Sequence, residues 1–185
     1  MKKKGVLVFV SILFLCLTGC GKSNSNENNV LKEEKKINGN CSAIQCIEKL
    51  DTKSTVEEIN KIIGFDGVLT DEKYNKYTWE ISDTDEITAT YYSSNKANIV
   101  AKYDKDTLKN SKVDFSKYEE IKKALQDGEK ISYNEFKEKV GGIDGTLVEI
   151  SSISKKYTWV NKDGGYLTAT FSTSSDKCTF IIGRF

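Results

Sequence analysis

Ile87-Thr88-Ala89-Thr90-Tyr91 recurs further along the chain as Leu167-Thr168-Ala169-Thr170-Phe171, and this pair of stretches decides the fold. Each alternates apolar side chains with threonine at a period of two. That pattern belongs to a strand with one face in a core and the other in water. Tyr77-Thr78-Trp79 precedes the first stretch, and Tyr157-Thr158-Trp159 precedes the second. Earlier still, Gly64-Phe65-Asp66-Gly67-Val68-Leu69 recurs as Gly142-Ile143-Asp144-Gly145-Thr146-Leu147. Three blocks in the same order, with the spacing drifting only in expected loops, read as an internal duplication.

Each copy reads as helix, helix, strands. Ile44, Ile47 and Leu50 have helical spacing, as do Tyr118, Ile121 and Leu125. Ser54 with Glu57, and Ser132 with Glu135, have the spacing of a capping box at the start of a second helix. Gly64 and Gly142 stand where helix-ending glycines belong. Ala97–Tyr103 and Cys178–Arg184 are the expected last strands, with Cys178, Phe180 and Ile182 pointing inward. The expected class is α+β: two tandem repeats of helix-loop-helix plus a four-stranded antiparallel sheet, over residues 41–110 and 111–185.

Upstream, residues 1–19 read as a lipoprotein signal. Lys2, Lys3 and Lys4 precede an apolar run from Val6 to Leu17, and Leu17-Thr18-Gly19-Cys20 has the lipobox pattern. The run is shorter than the roughly 20 residues that span a bilayer. Cys20 is the expected lipidation site. This places the chain on the extracytoplasmic face of a cell membrane, held by lipid, as in Gram-positive bacteria. Residues 20–40 are polar and read as a lipidated cysteine followed by a flexible tether with a reach of about 25 Å.

Loss of the leader removes three lysines and takes the formal charge from +1 to −2. No basic patch points to nucleic acid. The chain has no histidine, which excludes a Ser-His-Asp triad, a Cys-His pair and a His-ligated zinc. After Cys16 leaves and Cys20 is lipidated, Cys41, Cys46 and Cys178 remain. Export permits a disulfide, and Cys41–Cys46 is the local candidate if Cys41 lies just before the helix. Cys178 reads as a small buried hydrophobe.

Trp79 and Trp159 share a strand face with Ile81 and the tyrosines, opposite Thr and Glu, which assigns them to the core. Tyr92, on the polar face, is the better candidate contact. Asp83, Asp85 and Glu86 lack the ligand spacing and central glycine of a calcium loop and read as turn acids. No metal, cofactor or catalytic residue is expected. The Lys-rich runs are interleaved with Glu and read as solvated surface.

Two tandem units of this kind resemble the β-lactamase inhibitory protein fold, a unit that also occurs singly in small outer-membrane assembly lipoproteins. The resemblance rests on the capped second helix, the helix-ending glycine before Asp-Gly, the Tyr-x-Trp strand and the Thr-Ala-Thr-aromatic strand. It implies that the sheets line up into one concave surface docking on a partner protein, with an acidic hairpin reaching into an enzyme's substrate site. The matching hairpin here is Ser82-Asp83-Thr84-Asp85-Glu86. The implied partner is a β-lactamase or a penicillin-binding protein. The second copy has Asp163-Gly164-Gly165 in the matching loop, and the wet face is rich in threonine where the family's is aromatic.

The expected function is a lipid-anchored, non-catalytic protein-binding module. Its candidate contacts are Asp83, Asp85, Thr88, Tyr92, Thr168 and Thr170. The alternatives are a structural or assembly envelope lipoprotein, and a wall-polymer hydrolase working through paired carboxylates.

Overall fold

Three helices start on hydroxyl caps, and these fix where the chain turns from extended to helical. Ser42 caps α1 (Ala43–Ile47), Thr55 caps α2 (Val56–Ile63) and Ser132 caps α4 (Tyr133–Lys139), each in a reciprocal capping box with Gln45, Glu58 and Glu135. α3 (Tyr118–Gln126) has no side-chain cap. The first-half box therefore lies one residue beyond the expected Ser54–Glu57. Ser54 is buried and its Oγ instead accepts a hydrogen bond from the Asp51 amide at 3.0 Å. α2 ends at Gly64, whose φ of 99° is the left-handed conformation that glycine adopts without strain.

The computed structural model describes residues 38–92 and 95–185. The leader, Cys20 and the tether up to residue 37 lie outside the described residues. Asn38 and Asn40, at the end of the expected tether, are already tied down. Their amides donate to the carbonyls of Ile81 and Ile63 at 2.9 and 2.7 Å.

The fold is α+β, with the strands in a single sheet. The strands are β1 (Val68–Asp71), β2 (Lys76–Glu80), β3 (Glu86–Tyr91), β4 (Ala97–Lys102), β5 (Lys109–Asn110), β6 (Thr146–Ile150), β7 (Ser154–Asn161), β8 (Tyr166–Ser172) and β9 (Cys178–Arg184). Their order is β1-β2-β3-β4-β6-β7-β8-β9, with antiparallel neighbours throughout. One four-stranded sheet per repeat was expected, the two lining up; β4 and β6 pair through Ile99↔Ile150 and Val100↔Glu149, so the strands form one continuous sheet. The short β5 pairs in parallel with β7, so the end of the stretch assigned to residues 41–110 sits on the second half's strands.

The inner sheet face packs against the helices in two clusters. Trp79, Ile87, Ala89 and Ile99 meet Ile47, Ile59 and Ile63 in the first. Trp159, Leu167, Ala169 and Phe171 meet Ile121, Phe136 and Val140 in the second. Each fully buried large side chain contributes roughly 1.5–3 kcal/mol of transfer free energy. Ile150 lies on β6 but belongs to the first cluster.

Both tryptophans are buried beneath a glycine of an Asp-Gly pair. A Cβ on Gly67 would lie 2.6 Å from Trp79 Cζ2, and one on Gly145 would lie 2.7 Å from Trp159 Cε2. In the first half Asn60 ties this corner together. Its Oδ1 accepts from Trp79 Nε1 at 2.8 Å and from the Gly67 amide at 3.0 Å, and its Nδ2 donates to Asp66 at 2.8 Å. In the second half the task is divided. Trp159 Nε1 donates to the Ile143 carbonyl at 2.8 Å, the Gly145 amide to the Tyr133 hydroxyl at 3.0 Å, and Lys137 Nζ to Asp144 at 2.8 Å.

The last strand departs from expectation. β3 and β4 pair without interruption, but the register of β8 and β9 shifts at a bulge: Phe171 faces Cys178 while Thr170 faces Phe180. The extra residue, Thr179, reverses which face the following side chains meet. Cys178 stays buried, Ile181 packs on the second core, and Phe180 and Ile182 are about half exposed on the threonine face rather than inward.

Candidate functional site

The outer face of the sheet is built by the threonines that the alternating pattern leaves out of the core. Thr78 pairs with Thr88, which faces Val100; Thr158 pairs with Thr168, which faces Ile182; Thr170 faces Phe180. Thr88, Thr168 and Thr170 therefore share one face, as expected. Threonines bond across the strands: Thr158 with Thr168 opposite it at 2.9 Å, and Thr70, at the irregularity in β1, with Thr78 at 3.0 Å. Such pairs tie neighbouring strands together on this face. An ion pair between Lys156 and Glu149 bridges β6 and β7.

The face is neither uniformly polar nor uniformly open. Phe180 and Ile182 expose more than half their surface on β9, and Val68 does so at the opposite edge. At β7 the connection between the halves comes into contact. The 3-10 turn Lys105–Leu108 packs on this strand, Lys105 Nζ sits 3.7 Å above the Tyr166 ring, and Tyr103 bonds with Thr158. Thr158 and Val160, which point outward in the register, are consequently buried. Asn98, also on this face, has a buried side-chain oxygen with no hydrogen-bond partner among the described residues. An unmet acceptor of this kind costs roughly 1–3 kcal/mol.

The two candidate aspartates are placed differently. Asp83 is exposed at the tip of the β2–β3 hairpin. Asp85 is half-buried, and its carboxylate accepts from the Ala43 amide at 3.3 Å and the Thr84 hydroxyl at 3.2 Å. It thus helps satisfy the first turn of α1, a position where negative charge is favoured. Tyr92 is exposed but lies past the end of β3. There it lines a cavity with the inner-face residues Tyr77 and Tyr91, away from Thr88 and Thr168.

Cys41 precedes α1 and is joined to Cys46 by a disulfide, with Cα atoms 5.7 Å apart. Cys178 is a free thiol, and burial pushes its pKa up to about 11, which leaves it protonated and unreactive near neutrality. Among the described residues no cluster of three or more His, Cys, Asp or Glu side chains has the arrangement of a metal site.

Sequence reasoning missed Phe180 and Ile182 as exposed residues, because their inward assignment assumed an unbroken register. It also missed Tyr133 and Asn60, whose roles depend on how a helix start meets the Asp-Gly corner. Comparison with protein-family models, with curated proteins and with solved structures returns no match.

Proposed function

We propose that this chain is a lipid-anchored, extracytoplasmic protein-binding module, a tandem duplication of the type found in β-lactamase inhibitory protein, which docks on its partner with the outer face of the sheet. The observation that carries this reading is the pairing of solvent-facing threonines with the exposed apolar side chains Phe180, Ile182 and Val68 across strands of one sheet. Exposed apolar side chains set among polar ones are what a docking surface offers, here at the β9 edge with Val68 at the far β1 edge. The matching registers Tyr77↔Ala89↔Ile99 and Tyr157↔Ala169↔Ile181 support the duplication. The signal-like leader and Cys20 support the anchor.

The test is recovery of a partner from intact cells, with Phe180→Asp/Ile182→Asp as the control. The reading expects a specific protein to be retained by the parent and lost by the control. No specific partner across several growth conditions would remove it. The narrower candidates, class A β-lactamases and penicillin-binding transpeptidases, are tested by titration. The absence of inhibition at micromolar protein would eliminate them individually.

A further inference from the structure

The two helix starts differ by one ring. Tyr133 directly follows the Ser132 cap, and its ring lies 4.7 Å from that of Tyr157, 5.4 Å from Phe171 and 6.3 Å from Trp159. These are the separations at which aromatic rings attract one another. Val56 directly follows the Thr55 cap. Its neighbours are the counterparts Tyr77 and Tyr91, whose rings meet edge to face at 6.2 Å. Valine ends at Cγ, three bonds short of the ring carbon that bears a tyrosine's hydroxyl. A cavity of about 350 Å³ lies here, walled by Val56, Tyr77, Tyr91 and Tyr92 together with the polar Lys53, Glu57 and Asn75 and with Thr55 and Asn95.

The second half has a smaller recess of about 260 Å³ against Tyr157 and Phe171, and no α4 residue lines it. Tyr133 covers that approach. The first-half cavity reaches the helix, and among the described residues no ring stands where Tyr133 stands in the second half. Tyr91 cannot swing in to close the gap: its hydroxyl is engaged with the Ser54 carbonyl at 2.9 Å.

We propose that this cavity receives a phenol ring presented from outside the chain, in the position that Tyr133 fills from within the chain in the second half. The walls supply an aromatic face and edge. Lys53, Glu57 and Asn75 supply polar partners for a hydroxyl or for the amide groups flanking a side chain. That combination of apolar walls and a few polar groups, at this volume, is the ordinary make-up of a small-ligand pocket. It lies on the helix side of the sheet and is separate from the threonine face.

The chemistry has two sources, a tyrosine side chain on a peptide or a free small phenol, and the test separates them. The isotope-labelled protein is titrated with p-cresol, with the peptide Gly-Gly-Tyr-Gly-Gly and with Gly-Gly-Ala-Gly-Gly, following amide and aromatic resonances of α2, Tyr77 and Tyr91. Saturable shifts confined to this corner are expected with p-cresol at a Kd on the order of 1 mM, as suits eight heavy atoms. The tyrosine peptide binding at least several-fold tighter than p-cresol identifies a peptide as the source. Equal affinity identifies the free phenol. The alanine peptide is expected to give no shift.

Val56→Tyr should fill the cavity from inside, abolish both responses and leave the melting temperature unchanged or higher. If that variant does not fold, Tyr77→Leu, which removes one wall, is expected to weaken p-cresol at least tenfold. Tyr133→Val should open a second site that p-cresol enters. No saturable shift with either phenol, or shifts that persist in Val56→Tyr, would overturn the proposal.

Discussion

The two halves close the same corner with different side chains. In each, a buried tryptophan lies under an Asp-Gly glycine, and its indole N–H and the glycine N–H both need acceptors. The first half satisfies both through one amide, Asn60. The second uses a backbone carbonyl for the indole and Tyr133 for the glycine, while Lys137 and Tyr133 hold the aspartate. The backbone frame dictates which groups must be met. It does not dictate what meets them. Asn60 and Lys137 stand in the same helical position, five residues after their caps, yet one is a hub and the other a half-exposed ion-pair partner.

The largest test of this parallel is the indoles themselves. Trp79→Ala and Trp159→Ala should each cost about 3–5 kcal/mol in urea or thermal unfolding, since both are buried among aliphatic and aromatic neighbours. A cost near zero at either position would break the equivalence of the two cores.

A smaller pair of substitutions sharpens the difference. Asn60→Ala strands the Trp79 and Gly67 donors and should cost about 2–4 kcal/mol. Lys137→Ala removes a surface ion pair with Asp144 and should cost less than about 1 kcal/mol. Equal effects would mean that Asn60 is not the hub described.

Alkali probes both halves together. Burial, the largest cause in each case, pushes Tyr91 and Tyr133 from 10.0 up to about 12. The neutral tyrosine is favoured in the folded state, so this contribution is complete below pH 10. It is lost between pH 10 and about 12, where the unfolded chain has ionised and the folded one has not. Urea melts across that window should show falling stability. Tyr91→Phe and Tyr133→Phe should each flatten the fall.

The smallest contrast is within the hairpin. Asp85→Asn weakens the contact with α1 and should cost about 0.5–1 kcal/mol. Asp83→Asn, at the exposed tip, should stay within about 0.5 kcal/mol. Chemical denaturation of the two variants side by side decides it.

Much of the fold was legible because its signals are local. Period-two threonine runs set the strand faces, so Thr88, Thr168 and Thr170 fall together and the tryptophans fall inside. Capping residues placed α4 correctly and α2 within one residue, because Ser54 and Thr55 offer the same chemistry and only packing decides between them. The inward turn of Asp85 was not legible, since an acid in a turn reads as solvated unless the helix it faces is known. Nor was the reversal of Phe180 and Ile182: a bulge at Thr179 leaves no distinctive residue behind. The joining of the sheet rests on two residue pairs between β4 and β6, too few to leave a pattern in either strand. The Val56 cavity was not legible either, since a valine after a cap reads as an ordinary helix residue until the Tyr133 ring is seen in place.

Ile150 sits on a strand of the second half and in the core of the first. Its consequence is evolutionary. Recombination that carried off either half alone would leave a hole in one core and an orphaned isoleucine on the other fragment. The two cores share this one side chain, so neither half carries its full core without the other.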